Sequence, residues 1–127
     1  MDTPAEVVEE VGGRKFNLEE RTAKFGEAII RFLKQVPKNS ITVPLVKQLV
    51  RSATSIGANY CEADDAQTNK ECKYRISICR KEARETMYWL RMIASAAEQH
   101  RAKARTHWQE AKELNLIFSS ILRKSKS

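Results

Sequence analysis

The chain has 127 residues, 42% of them hydrophobic, a size that suits one compact domain able to bury a core without disulfides or metal. Three Pro and four Gly are too few for a turn-rich β protein, and the weight of Ala, Leu, Glu, Lys and Arg favours an all-α fold. The formal charge is +7, and because residues 1–16 set Asp2, Glu6, Glu9 and Glu10 against only Arg14 and Lys15, the basic excess lies in the body, which should attract polyanions, RNA and DNA first.

Residues 1–16 lack periodicity, carry Pro4 and the Gly12-Gly13 pair, and read as a flexible N-terminal arm before a bundle domain over residues 17–127. The opening MDTPAEVVEEVGGRKF lacks the pattern of a secretory signal, and no segment approaches the roughly 18 consecutive apolar residues of a membrane span. A soluble cytoplasmic protein is expected. Asn17 with Glu20 forms a capping-box arrangement, and Leu18, Phe25, Ile29, Phe32, Leu33 and Val36 follow at helical spacing, so a first helix runs to about Val36 and stops at Pro37. Thr42 is expected to cap a second helix, about Val43 to Asp64, that tolerates Pro44 in its first turn. Thr68 with Glu71 starts a long third helix to about Gln99. Thr106 with Gln109 repeats the signature ahead of Trp108, Ala111, Leu114, Ile117, Phe118, Ile121 and Leu122, a fourth helix. Short connections make neighbours antiparallel, so an up-down-up-down four-helix bundle is predicted.

The third helix carries more than one working face. Ile76, Cys79, Ala83, Leu90, Ala94 and Ala97 share a sector that should enter the core. A second sector collects Tyr74, Ile78, Trp89 and Met92 with Glu85, a surplus apolar face that suggests a subunit interface, where Tyr, Trp and Met are enriched. Glu85 would need a cation there, from Arg51 or Arg84. A third sector places Lys73, Arg80, Arg84 and Arg91 on one basic stripe. The connection to the fourth helix adds Arg101, Lys103 and Arg105, with His100 and His107 among them. On the second helix, Ser52, Ser55 and Asn59 form a small polar stripe, and Gly57 inside the helix implies a tight crossing. Cys61, Cys72 and Cys79 are odd in number and show no paired spacing, so neither a disulfide framework nor a metal site is suggested, and no motif implies a cofactor.

The segments RSATSIGANYCEA, from Arg51 to Ala63, and ISICRKEARETMYWLRM, from Ile76 to Met92, closely resemble the bacterial four-helix-bundle family named for proteins encoded in intervening sequences of 23S rRNA genes. That resemblance implies an antiparallel bundle assembling as a homopentameric ring, in keeping with the second apolar face. Similar proteins include the accessory variability determinant of diversity-generating retroelements, a basic pentameric barrel that engages a reverse transcriptase and nucleic acid. The resemblance carries no catalytic motif.

Three functions compete. The first is a non-enzymatic oligomeric scaffold binding RNA or DNA through Lys73, Arg80, Arg84 and Arg91, with Arg101, Lys103 and Arg105 as auxiliary contacts, mostly to phosphates. The second is a protein-interaction module docking an acidic partner such as a reverse transcriptase. The third is a ribonuclease in which Arg101 and His107, an R-x5-H arrangement reminiscent of helical ribonucleases, would supply phosphate stabilisation and acid-base chemistry. The basic stripe favours the first.

Overall fold

The structure is a computed structural model that describes Glu10–Val11, Arg14–Lys15 and residues 17–124. Helix α1 spans Leu18–Gln35, α2 Thr42–Asp64, α3 Asn69–Ala96 and α4 Arg101–Lys124, with a 3-10 turn over Glu98–His100 between the last two. Asn17 caps α1 by accepting from the Glu20 amide at 3.1 Å, and Thr68 caps α3 by accepting from the Glu71 amide at 3.1 Å, both at the expected positions. Val36 turns to extended backbone just before Pro37, which ends α1.

Two starts differ from expectation. Thr42 does not cap α2; it is buried inside the first turn and donates to the Pro37 carbonyl, while Asn39 Oδ1 accepts from the Ile41 and Thr42 amides. An Asn two or three residues ahead reaches both orphan donors at once, which leaves Thr42 free to tie down the loop. Thr106 likewise lies within α4, its hydroxyl bonded to the Ala102 carbonyl, because Arg101, Ala102, Lys103, Ala104 and Arg105 are good helix formers and extend the helix back to the turn. The α3 helix accordingly ends at Ala96, short of Gln99.

Paired contacts fix the directions. Gly57 of α2 lies against Thr22 of α1, and Gly26 of α1 against Thr54 of α2. Asn59 meets Arg75, Ile56 meets Cys79 and Ser52 meets Thr86 between α2 and α3. Asn115 meets the Arg80 carbonyl between α3 and α4, and Arg21 meets Glu110 between α1 and α4. Each pair of neighbours therefore runs antiparallel, and the molecule is an all-α up-down-up-down bundle. A Cβ at Gly57 would stand 3.3 Å from Thr22 Oγ1, which explains the glycine in mid-helix as a close α1/α2 crossing.

The α3 helix is central, packed along α2 on one flank and α4 on the other, whereas α1 packs mainly on α2 and meets α4 sparsely. Tyr60, Phe118, Leu18, Ile29, Leu49, Ile56, Ile76, Leu90, Ile93, Leu114 and Ile121 form the fully buried centre. The predicted core stripe of α3 holds: Ile76, Cys79, Ala83, Leu90 and Ala97 are buried, and Ala94 is half-buried. Of the arm expected over residues 1–16, Glu10–Val11 and Arg14–Lys15 pair as two short antiparallel strands, β1 and β2, with β1 against α4; the remainder lies outside the described residues.

Candidate nucleic-acid interface

On α3, Arg80, Arg84 and Arg91 are exposed and Lys73 is half-buried. What the sequence reading missed is where α4 stands relative to them. Because α4 begins at Arg101, residues 101, 105, 108 and 112 fall at spacings of four, three and four on one face, bringing Arg101, Arg105, Trp108 and Lys112 into line. Arg91 of α3 and Arg101 and Arg105 of α4 line one open pocket of about 520 Å³, whose apolar wall is Leu90, Ala94, Ala104 and Trp108. Lys112 Nζ lies 5.5 Å from the Trp108 ring centre, a cation–π distance. Arg101, expected as an auxiliary in a loop, is thus a member of a helical groove. That spacing is visible in the sequence; Thr106 read as a cap hid it.

Lys103 is placed elsewhere. Its ammonium donates to Gln35 Oε1 at 2.8 Å, across to the end of α1, so it is not part of the Arg91, Arg101 and Arg105 group. Two positions from Arg101 or Arg105, a helical residue points well away from either.

The carboxylates turn to other seams. Glu110 takes the Arg21 guanidinium in two bonds of 2.8 Å, and this bond raises the Arg21 pKa above its ordinary value despite partial burial. Glu82, with its side chain only 7% exposed, accepts from Arg51 at 3.0 Å, and Arg51 also pairs with Glu85. Trp89 donates its indole N–H to Glu85 at 3.1 Å. Glu85 therefore finds its cation within the chain, in Arg51, rather than across an interface. Near the groove, Glu98 reaches Arg101 only at 3.8 Å and largely in solvent, a contact of little energy. Among the described residues, neither Arg91 nor Arg105 has a carboxylate partner.

The proposed interface sector is partly open. Tyr74 is 61% exposed, while Ile78, Glu85, Trp89 and Met92 are half-buried. Tyr88, 53% exposed, stacks edge-on against Trp89 at 5.0 Å and extends the aromatic surface. Arg75 lies over the Tyr74 ring at 5.8 Å and donates to Asn59.

His107 and Arg101 do not meet. His107 packs on Phe32 of α1, ring centres 5.1 Å apart, and lines a second pocket with Arg21 and Glu110, whereas Arg101 lines the α3/α4 pocket. Burial, with nearby Lys103, holds the His107 pKa below its ordinary value. No disulfide forms among the three cysteines: Cys61 is exposed, Cys72 buried, and burial pushes the Cys79 thiol up to about 12, where it is inert. No group of three or more His, Cys, Asp or Glu among the described residues could hold a metal ion. No helix among them is long and apolar enough to cross a membrane.

The sequence model of the 23S rRNA-intervening sequence protein family matches residues 14–120. The chain belongs to that family. A crystal structure of a protein of unknown function from the S23 ribosomal protein family of Bacteroides thetaiotaomicron VPI-5482 is similar, with a TM-score of 0.76 and 27% identity over 95% of this chain and 99% of that one. No curated protein matches. The intervening-sequence family thus accounts for nearly the whole bundle, both flanks of α3 included.

Proposed function

We propose that this intervening-sequence family member is a non-enzymatic scaffold that binds nucleic acid through the α3/α4 groove, chiefly by phosphate contacts, and that it works as a homo-oligomer of five copies. The observation that carries the reading is the separation of charge: Arg91, Arg101 and Arg105 share one pocket, with Arg80 and Arg84 further along α3, while Glu82, Glu85 and Glu110 are engaged in other seams. Guanidiniums gathered with only the weak, solvent-exposed contact of Glu98 to Arg101 repel one another, and a polyanion relieves that repulsion. The exposed aromatic sector around Tyr74 and Tyr88 supports self-association. Light scattering on the purified protein should return five copies; a monomer at working concentration would remove that part of the reading.

The binding part is tested by fluorescence anisotropy of nuclease-treated protein with labelled RNA and duplex DNA across a salt series. Affinity should fall steeply with log salt, and the Arg91→Gln, Arg105→Gln double variant should lower the slope by roughly one to two. Absence of binding at low salt would turn the groove over to an acidic protein partner, for which capture that survives nuclease treatment is the corresponding result.

A further inference from the structure

The groove is more than a row of charges, because its wall is apolar and contains an indole. Leu90, Ala94 and Ala104 line the pocket beside Trp108, and the three guanidiniums come from the ends of two helices around it. Its volume, about 520 Å³, falls within the range of roughly 300–1,000 Å³ usual for small-molecule sites. A phosphate chain alone has no use for such a wall. Trp108 is half-buried, and the cation lying over its ring belongs to Lys112, an exposed side chain. A flexible ammonium over the ring marks that side as reachable from solvent, and it can move from the ring to a phosphate.

Resting on the nucleic-acid reading above, we propose that this pocket takes an unstacked nucleobase of a single strand, stacked on Trp108, while the flanking phosphates sit on Arg91, Arg101 and Arg105. A duplex keeps its bases stacked inside and can offer the groove only its backbone. Single strands offer both parts, and base–aromatic stacking beside a basic track is the general solution for holding them without sequence preference. An acidic peptide would satisfy the arginines but would leave the indole without a planar partner. Charge alone ranks the ligands the other way, since phosphate density is higher along a duplex. A preference for single strands therefore reports the pocket and not the field around it.

The experiment uses the full chain and compares a short unstructured oligoribonucleotide with the duplex that it forms with its complement, at one salt concentration, reading anisotropy and tryptophan quenching together. The single strand should bind more tightly than the duplex and quench fluorescence. Trp108→Leu should weaken single-strand binding by about tenfold, leave duplex binding unchanged and abolish most of the quenching, and Trp108→Phe should restore the preference. Because Trp108 also packs on the core, Ala94→Leu provides a second variant that fills the pocket from α3 and should have the same selective effect. Equal binding of both ligands without quenching overturns base insertion while leaving the polyanion reading intact. Binding of neither ligand overturns both. Equal quenching by an acidic peptide overturns the assignment of the pocket to a base.

Discussion

The two flanks of α3 carry arginines from the same helical segment and its neighbours, yet they dispose of charge in opposite ways. Toward α2, Arg51 closes on Glu82 and Glu85, the Thr86 hydroxyl lies 2.9 Å from Ser52 Oγ, and Arg75 donates to Asn59, so charges are paired within the chain even though Arg75 Nε and Glu82 Oε1 are buried without a hydrogen bond. Toward α4, Arg91 and Arg105 stand around an open pocket with no carboxylate among the described residues to meet them. The first arrangement specifies how two helices register, since a partner removed there strands a buried charge. In the second, Arg91 and Arg105 make no ion pair among the described residues that ties helix to helix, and the pocket they line is open to an outside ligand. Identical residue types thus take structural or functional meaning from whether an acid stands opposite.

This contrast can be broken most forcefully from the α2 side. Arg51→Met leaves Glu82 buried without its cation and should cost about 2 kcal/mol by urea denaturation, less than a fully buried pair because Arg51 is half exposed, and Glu82→Met in the same chain should recover much of that loss. The same measurement on Arg91→Gln, Arg105→Gln should move stability by no more than about 0.5 kcal/mol. If the groove arginines proved as costly to remove as Arg51, the division between the flanks would fail.

A smaller effect sharpens the view of the α1 side. Since His107 has a folded pKa below its ordinary value, the unfolded chain binds the extra proton first as pH falls. Stability is complete above about 6.5, declines as pH drops through that value, and stops declining below the folded pKa. His107→Gln should remove this part of the acid-side slope, read from denaturation midpoints between pH 7 and about 5. An unchanged slope would show that His107 is not the group responsible.

Much of the bundle was legible from local chemistry. Asn17 and Thr68 marked helix starts because a side-chain oxygen three residues ahead of an orphan amide has one obvious use, and the apolar spacing on α1 and α4 named their buried faces. The α3/α4 turn escaped because Ala97 and Glu98–His100 contain neither Gly nor Pro, while Thr106 imitated a cap from inside the helix. With Thr106 read as the cap, α4 starts six residues late, Arg101 and Arg105 fall in a connection, and their convergence with Arg91 and Trp108 does not show. Glu82 was missed for another reason. Its burial depends on Arg51, thirty-one positions away, and no spacing within α3 distinguishes a carboxylate with such a partner from a solvated one.

The turn that hid the groove also governs when it comes into being. Only Ala97 and one 3-10 turn separate α3 from α4, so Arg91 and Arg105 are near neighbours along the chain and bringing them together costs little loop entropy. Pairs that are close in sequence form early once their residues exist. The surface between α3 and α4 is therefore set by a local hairpin and not by distant parts of the chain.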